Sequence, residues 1–294
     1  MSINQNKQKR IIVVLGMHRS GTSVITRSLK VLGVELGNNL MPAVQNVNDK
    51  GFWEDMDFFS LNEEILRTLQ EREWHSLRPI HQKEFDNKSL TPLKMCAIDL
   101  LRTKTTQTPT LGMKDPRFSI LLPFWKEIFS FLELDTCYVI AIRNPHSIAL
   151  SLQKRDGFEF KKSYCLWLNH ILPCFVETIN QPRIVVNYDQ VIAHPEAQLR
   201  RISEKLSLPF NTSEFEDFTN NFISLDLRHS ECHLKDLKRL ADIPSKNVIQ
   251  TFTILDSMSK DQISTSSQEI HHYFQNSWKE LPSLLLECNI IDHT

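Results

Sequence analysis

What this chain lacks narrows it first. No run approaches the ~20 consecutive apolar residues that cross a bilayer. Behind the basic start Lys7, Lys9 and Arg10, the apolar stretch from Ile11 to Leu15 is too short for the core of a secretory leader. The expectation is a cytoplasmic protein with no stable membrane insertion. Charge of one sign is missing as well. The 34 Lys and Arg against 35 Asp and Glu leave a formal net charge of -1, so bulk electrostatics argues for no nucleic-acid partner. The six cysteines, at 96, 137, 165, 174, 232 and 288, include no Cys-x-x-Cys pair. In a chain of this size they read as reduced, mostly buried thiols. The close histidine pairs, 229 with 233 and 271 with 272, have no cysteines at zinc spacing, so no metal is expected. Internal repeats and low-complexity tracts are absent too.

What is present is an ordinary globular composition, 41% hydrophobic and 23% charged. At roughly 150 residues per domain, the length admits two domains or one large α/β domain. No boundary signal divides the chain. The expectation is one domain over 1–294, with a core over about 11–210 and a helical C-terminal part over about 211–294.

The β-branched run from Ile11 to Leu15 ends at Gly16 and suits a parallel strand covered on both faces. Val24, Ile25, Leu29 and Leu32 then recur at helical spacing, and Gly33 ends that helix. Residues 38–53 read as a loop. Leu61, Ile65, Leu66 and Leu69 mark a helix, residues 74–92 look irregular, and another helix surrounds residues 93–101. Strands are expected over 110–113, 137–142 and 183–186, with helices over about 119–131, 145–155 and 161–179. From 195 onward the chain reads as helical, broken at Pro209 and Pro244. Alternating strands and helices predict a three-layer α/β fold, a parallel sheet with helices on both faces.

The segment Gly16-Met17-His18-Arg19-Ser20-Gly21-Thr22-Ser23 joins the first strand to the first helix. Such a loop turns several backbone N–H groups and the helix dipole toward one point, which makes an anion site. Gly16 and Gly21 supply backbone freedom, Arg19 a charge that grips two oxygens, and Ser20, Thr22 and Ser23 hydroxyl donors. The spacing nearly matches the nucleotide-triphosphate loop, Gly-x4-Gly-Lys-Ser/Thr, but Thr22 stands where the lysine belongs. That lysine neutralises the terminal phosphates, so its loss argues against ATP or GTP.

Arg19-Ser20-Gly21-Thr22-Ser23 resembles the 5′-phosphosulfate loop of sulfotransferases that use 3′-phosphoadenosine 5′-phosphosulfate. The segment from Arg143 to Ser151, an arginine at a strand end and a serine eight residues on, resembles the part of those enzymes that binds the donor's 3′-phosphate. The resemblance spans roughly residues 11–190. It implies the P-loop NTPase-like fold and transfer of a sulfuryl group from that donor to a hydroxyl, with a carbohydrate or other small molecule as acceptor and no metal. Donor-binding residues would be Gly16, His18, Arg19, Ser20, Gly21, Thr22, Ser23, Arg143 and Ser151.

For the chemistry, Arg19, Lys114 and Glu54 are the catalytic candidates. Lys114, in Lys114-Asp115-Pro116, is similar to the charge-stabilising lysine of related tyrosyl-protein and bacterial enzymes, against a plain pairing with Asp115. Glu54, after Phe52 and Trp53, is the candidate general base, against a role as an acid complementing a helix dipole. His18 and His75 are alternative bases, and Arg117 either serves the same site or pairs with an acid. The late basic residues Arg228, His229, Lys235, Lys238 and Arg239 read as a solvated helix face rather than a cover for the 3′-phosphate. Trp74, Phe124, Trp125 and Trp167 read as core. Two other readings stay open: a P-loop kinase or nucleotide hydrolase with a degenerate loop, in which Asp115 would hold a metal, and a nucleotide-binding scaffold without chemistry. Acceptor identity and oligomeric state are left open.

Overall fold

The computed structural model describes residues 9–45, 48–69, 71–223, 237 and 246–287. Four strands, β1 (Arg10–Leu15), β2 (Thr110–Lys114), β3 (Asp135–Ile142) and β4 (Arg183–Asn187), form one sheet in the order β2-β1-β3-β4. Every neighbouring pair is parallel. The sequence leads one to expect these four strands; β3 starts two residues earlier, at Asp135.

The unbroken apolar run of β1 is explained by burial on both faces. Ile11, Val13 and Leu15 enter one core with Tyr138, Ile140 and Ile142 of β3. Ile12 and Val14 enter the opposite core with Cys137, Val139 and Ala141. Strand periodicity of two thus divides one sequence between two helical layers.

In chain order the described helices are α1 (Thr22–Ser28), α2 (Met56–Thr68), α3 (Thr91–Gln107), α4 (Phe118–Phe131), α5 (Pro145–Asp156) and α6 (Phe160–Glu177). After β4 come α7 (Tyr188–Ala193), α8 (Pro195–Leu206), α9 (Thr212–Asp217), α10 (Lys246–Ser259) and α11 (Gln268–Glu287). Helices α1, α7, α8 and α9 cover the face of Ile12 and Val14. Helices α2 to α6, α10 and α11 cover the other. Residues 74–92, expected to be irregular, contain two short 3-10 turns, Gln82–Asp86 and Lys88–Leu90. The expected break at Pro209 follows the end of α8, whereas Pro244 lies outside the described residues.

From β1 the chain crosses to β2 on one side, and β3 then lies on the other side of β1. α1, which follows β1, and α5, which follows β3, pack on opposite faces. Such a switch point, at the carboxyl ends of the two strands, is the usual ligand position in an open α/β sheet. Among the described residues no helix is long and apolar enough to cross a membrane. Cys137, Cys165 and Cys174 are buried thiols and Cys96 is exposed.

Candidate active site

The loop after β1 is built around two glycines in conformations that L-residues avoid. Gly16 has φ 138° and its N–H donates to Ser119 Oγ at 2.9 Å. Gly21, at φ 82°, precedes the first residue of α1, and a Cβ there would stand 2.2 Å from the ring of Tyr188. No side chain caps α1. The first-turn N–H groups, including those of Thr22 and Ser23, have no intrahelical acceptor, and the helix dipole makes their surroundings favourable to an anion. Ser20 Oγ is buried and has no hydrogen-bond partner among the described residues. Arg19 takes φ 69°, a left-handed backbone that costs a long side chain on the order of 1 kcal/mol. The spacing of residue types carried no sign of that strain.

Arg143 leaves the end of β3 and meets this loop. Its Nη1 donates to the carbonyl of Arg19 at 3.5 Å, and its guanidinium lies 4.7 Å over the Tyr188 ring. Arg19 Nε donates to Ser151 Oγ on α5 at 2.7 Å. The two segments that resemble donor-binding motifs therefore touch in space, 132 residues apart in the chain. Burial, followed by the fields of Arg155 and Arg143, lowers the pKa of Arg19 from its ordinary value. A guanidinium stays charged at neutral pH in such surroundings.

Lys114 and Glu54 face the other flank of the loop. Register places Lys114 beside Val14, two residues before Gly16. Its buried ammonium ion-pairs with Glu54 Oε1 and donates to the Phe52 carbonyl at 3.0 Å and to Ser23 Oγ at 3.4 Å. Ser23 Oγ itself donates to the Phe52 carbonyl at 3.0 Å. Burial raises the Glu54 pKa above the ordinary carboxylate range, opposed by Lys114. Glu54 is not the acid that caps the next helix. Asp55 does that, accepting from the Asp57 N–H at 3.0 Å at the start of α2.

Asp115 and Arg117 belong to a separate network. Asp115 is fully buried; one oxygen accepts from Asn62 Nδ2 at 2.9 Å, the other from the backbone N–H and the guanidinium of Arg117 at 2.9 and 3.0 Å. Arg117 also pairs with Glu63, and Trp125 Nε1 donates to Asn62 Oδ1 at 2.8 Å. Both Asp115 oxygens thus have partners within the protein. Arg117 pairs with acids, one of the two uses expected of it. Among the described residues no group of His, Cys, Asp and Glu could hold a metal ion.

His18 packs against Trp74 at a tilt of 47°, ring centroids 4.1 Å apart. Burial, then Arg117 and Arg155, push its pKa well below the ordinary 6.5, so its imidazole is neutral at pH 7. Trp74, expected in the core, packs against its edge and is half-buried, with Arg155 over its ring at 5.4 Å. Trp125, Trp167 and Phe124 are buried as expected. His75 packs on Trp74 and Phe158 and pairs with Glu73. The late basic residues Arg228, His229, Lys235, Lys238 and Arg239 lie outside the described residues. Sequence reasoning missed Tyr188, Ser119, Asn62 and the Phe52 carbonyl. Tyr188 and Ser119 sit in no motif, and a carbonyl carries no residue signature.

A parallel sheet whose first strand runs through a glycine-bracketed loop into an uncapped helix defines a P-loop-like fold. The model of the sulfotransferase family matches residues 11–212, and the chain belongs to that family. Protein-tyrosine sulfotransferase A of Caenorhabditis elegans is 24% identical over 219 residues, 70% of this chain and 52% of that protein. The chain thus spans about half the length of that curated relative. Among solved structures, the sulfotransferase domain of the Synechococcus PCC 7002 olefin synthase is similar at 15% identity and a TM-score of 0.44, covering 85% of this chain and 96% of that one. Sulfotransferase STF9 from Mycobacterium avium, also at 15% identity and a TM-score of 0.44, covers 95% of this chain and 76% of its own.

Proposed function

We propose that the chain transfers a sulfuryl group from 3′-phosphoadenosine 5′-phosphosulfate to a hydroxyl of a carbohydrate or other small molecule, by in-line displacement and without a metal. The observation that supports this reading is the meeting of Arg19, Arg143 and Ser151 at the carboxyl ends of β1 and β3. The donor has two separated anionic groups, and two segments offer matching receptors. Residues 16–23 would hold the 5′-phosphosulfate, with Ser20 Oγ and the uncapped start of α1 as donors. Arg143 and Ser151 would hold the 3′-phosphate.

The donor supplies the activated sulfur–oxygen bond; the chain's residues position and polarise. Lys114 stabilises charge on the sulfuryl group and on the bridging oxygen of the leaving phosphate. Glu54 takes the acceptor's proton as the acceptor oxygen bonds to sulfur and the bond to the phosphate oxygen breaks. The Lys114–Glu54 pair links these roles. When Lys114 turns to the sulfuryl oxygens, Glu54 loses its cation and becomes a stronger base, a coupling that needs no further group.

We treat 1–294 as one domain, likewise as a proposal. Incubation with sulfur-labelled donor and a panel of sugars, phenols and a tyrosyl peptide tests the reading. The tyrosyl peptide belongs in the panel because the curated relative is named for protein tyrosine. Label transfer to a hydroxyl is the expected result. Magnesium-dependent ATP turnover without label transfer would replace this reading with the kinase one.

A further inference from the structure

The buried stripe of α3 contains Ala97, Ile98, Leu101, Lys104 and Thr105. A lysine in such a stripe is costly to bury unless it is paired. Lys104 is paired twice. Its Nζ lies 2.6 Å from Asp55 Oδ2 and 2.7 Å from Asp57 Oδ2, while the lysine side chain is 8% exposed. Asp55, itself buried, uses its other oxygen to cap α2. Glu54 is the residue before it.

The surrounding backbone is clamped to match. Met41 N–H donates to the Glu54 carbonyl at 2.7 Å, and Met56 N–H to the Asn39 carbonyl at 2.8 Å. Asn39 Nδ2 donates to Asp57 Oδ1 at 2.9 Å. These bonds fix the main chain of the segment carrying Glu54. Lys104 adds a charged tie from that segment to α3, which packs on β2, the strand that delivers Lys114. One lysine thereby relates the proposed base to the proposed electrophilic cation.

We propose that Lys104 is a positioning residue: by holding Asp55 and the first turn of α2 it sets the Glu54 carboxylate against Lys114 and the acceptor oxygen. The proposal rests on the assignment of Glu54 as base. Charged groups facing Glu54 are Lys114, Asp115 and Arg117; those facing Lys104 are Asp55 and Asp57. Without that tie the Glu54 carboxylate drifts from Lys114, the cation that lowers its pKa, so Glu54 holds its proton to higher pH.

The test is a set of kcat–pH profiles and melting curves for the wild type, Lys104→Met, Lys104→Arg and Glu54→Gln, with the affinity for adenosine 3′,5′-bisphosphate measured on each. Lys104→Met is expected to lower kcat roughly tenfold or more, to move the acid limb upward in pH, and to leave bisphosphate affinity within about twofold because the donor contacts are untouched. Lys104→Arg is expected to restore both kcat and the limb. Should Lys104→Met not fold, Lys104→Gln keeps a donor toward Asp55 without the charge and gives the same readout. A folded charge-removing variant with wild-type kcat and limb, beside an inactive Glu54→Gln, overturns the positioning role alone. A fully active Glu54→Gln overturns the base assignment and the positioning role with it.

Discussion

His170 sits on α6 with no exposed surface. Its Nδ1 lies 2.8 Å from the Leu166 carbonyl, and its Nε2 has no hydrogen-bond partner among the described residues. Burial first, with Arg117 also acting, pushes its pKa from 6.5 down to about 4. The folded state therefore resists a proton that the unfolded chain accepts below 6.5. By linkage, its contribution to stability is fully present above 6.5 and is lost as pH falls toward 4. The loss reaches about 3 kcal/mol in full, of which about 2 kcal/mol falls between about pH 7.5 and about pH 5. His18 is shifted in the same direction and adds to the slope, so the wild-type slope alone does not isolate His170. The difference between wild type and His170→Gln does. Urea unfolding followed by tryptophan fluorescence at both pH values gives it: the wild type should lose about 2 kcal/mol more than the variant. Equal losses in the two proteins would refute the burial argument.

Three further outcomes follow from the site. Gly21→Ala forces a Cβ into the Tyr188 ring at a positive φ, so it should lower stability by about 2 kcal/mol or more in a thermal melt and weaken bisphosphate binding. Glu54→Gln should lower kcat by roughly 10²- to 10⁴-fold with little change in donor affinity, as measured by label transfer and calorimetry. Because burial raises the pKa of Glu54 and the base acts deprotonated, wild-type kcat should fall as pH drops through a limb above the ordinary carboxylate range; a limb at or below that range contradicts the assignment.

The strands were legible because their signal is local. β1 reads as an unbroken β-branched run since both of its faces are covered. The loop was legible because two glycines at fixed spacing bracket it, and because Thr22 in place of a lysine is a single visible letter. Arg143 and Ser151 stand out only through the resemblance of their segment to the family's, since an arginine at a strand end with a serine on the next helix is common. The Lys114–Glu54 ion pair was not: its members are 60 residues apart, and no periodicity relates them. For the same reason the pairing of Arg117 with Glu63, 54 residues away, leaves no trace in the sequence. Trp74 packs against the core as its size suggests, but its contact with His18 beside the loop carries no sequence signal. Lys104 left a trace, a cation in an apolar stripe, whose meaning depends on two aspartates at the start of another helix.

Calorimetric titration of adenosine 3′,5′-bisphosphate into the wild type, Arg19→Ala and Arg143→Ala tests the central claim most directly. The wild type is predicted to bind, and each variant to lose roughly 10- to 100-fold in affinity, the worth of about 1.5–3 kcal/mol for a hydrogen bond to a charged group. Unchanged affinity in both variants would contradict a donor site built from the loop after β1 and the end of β3.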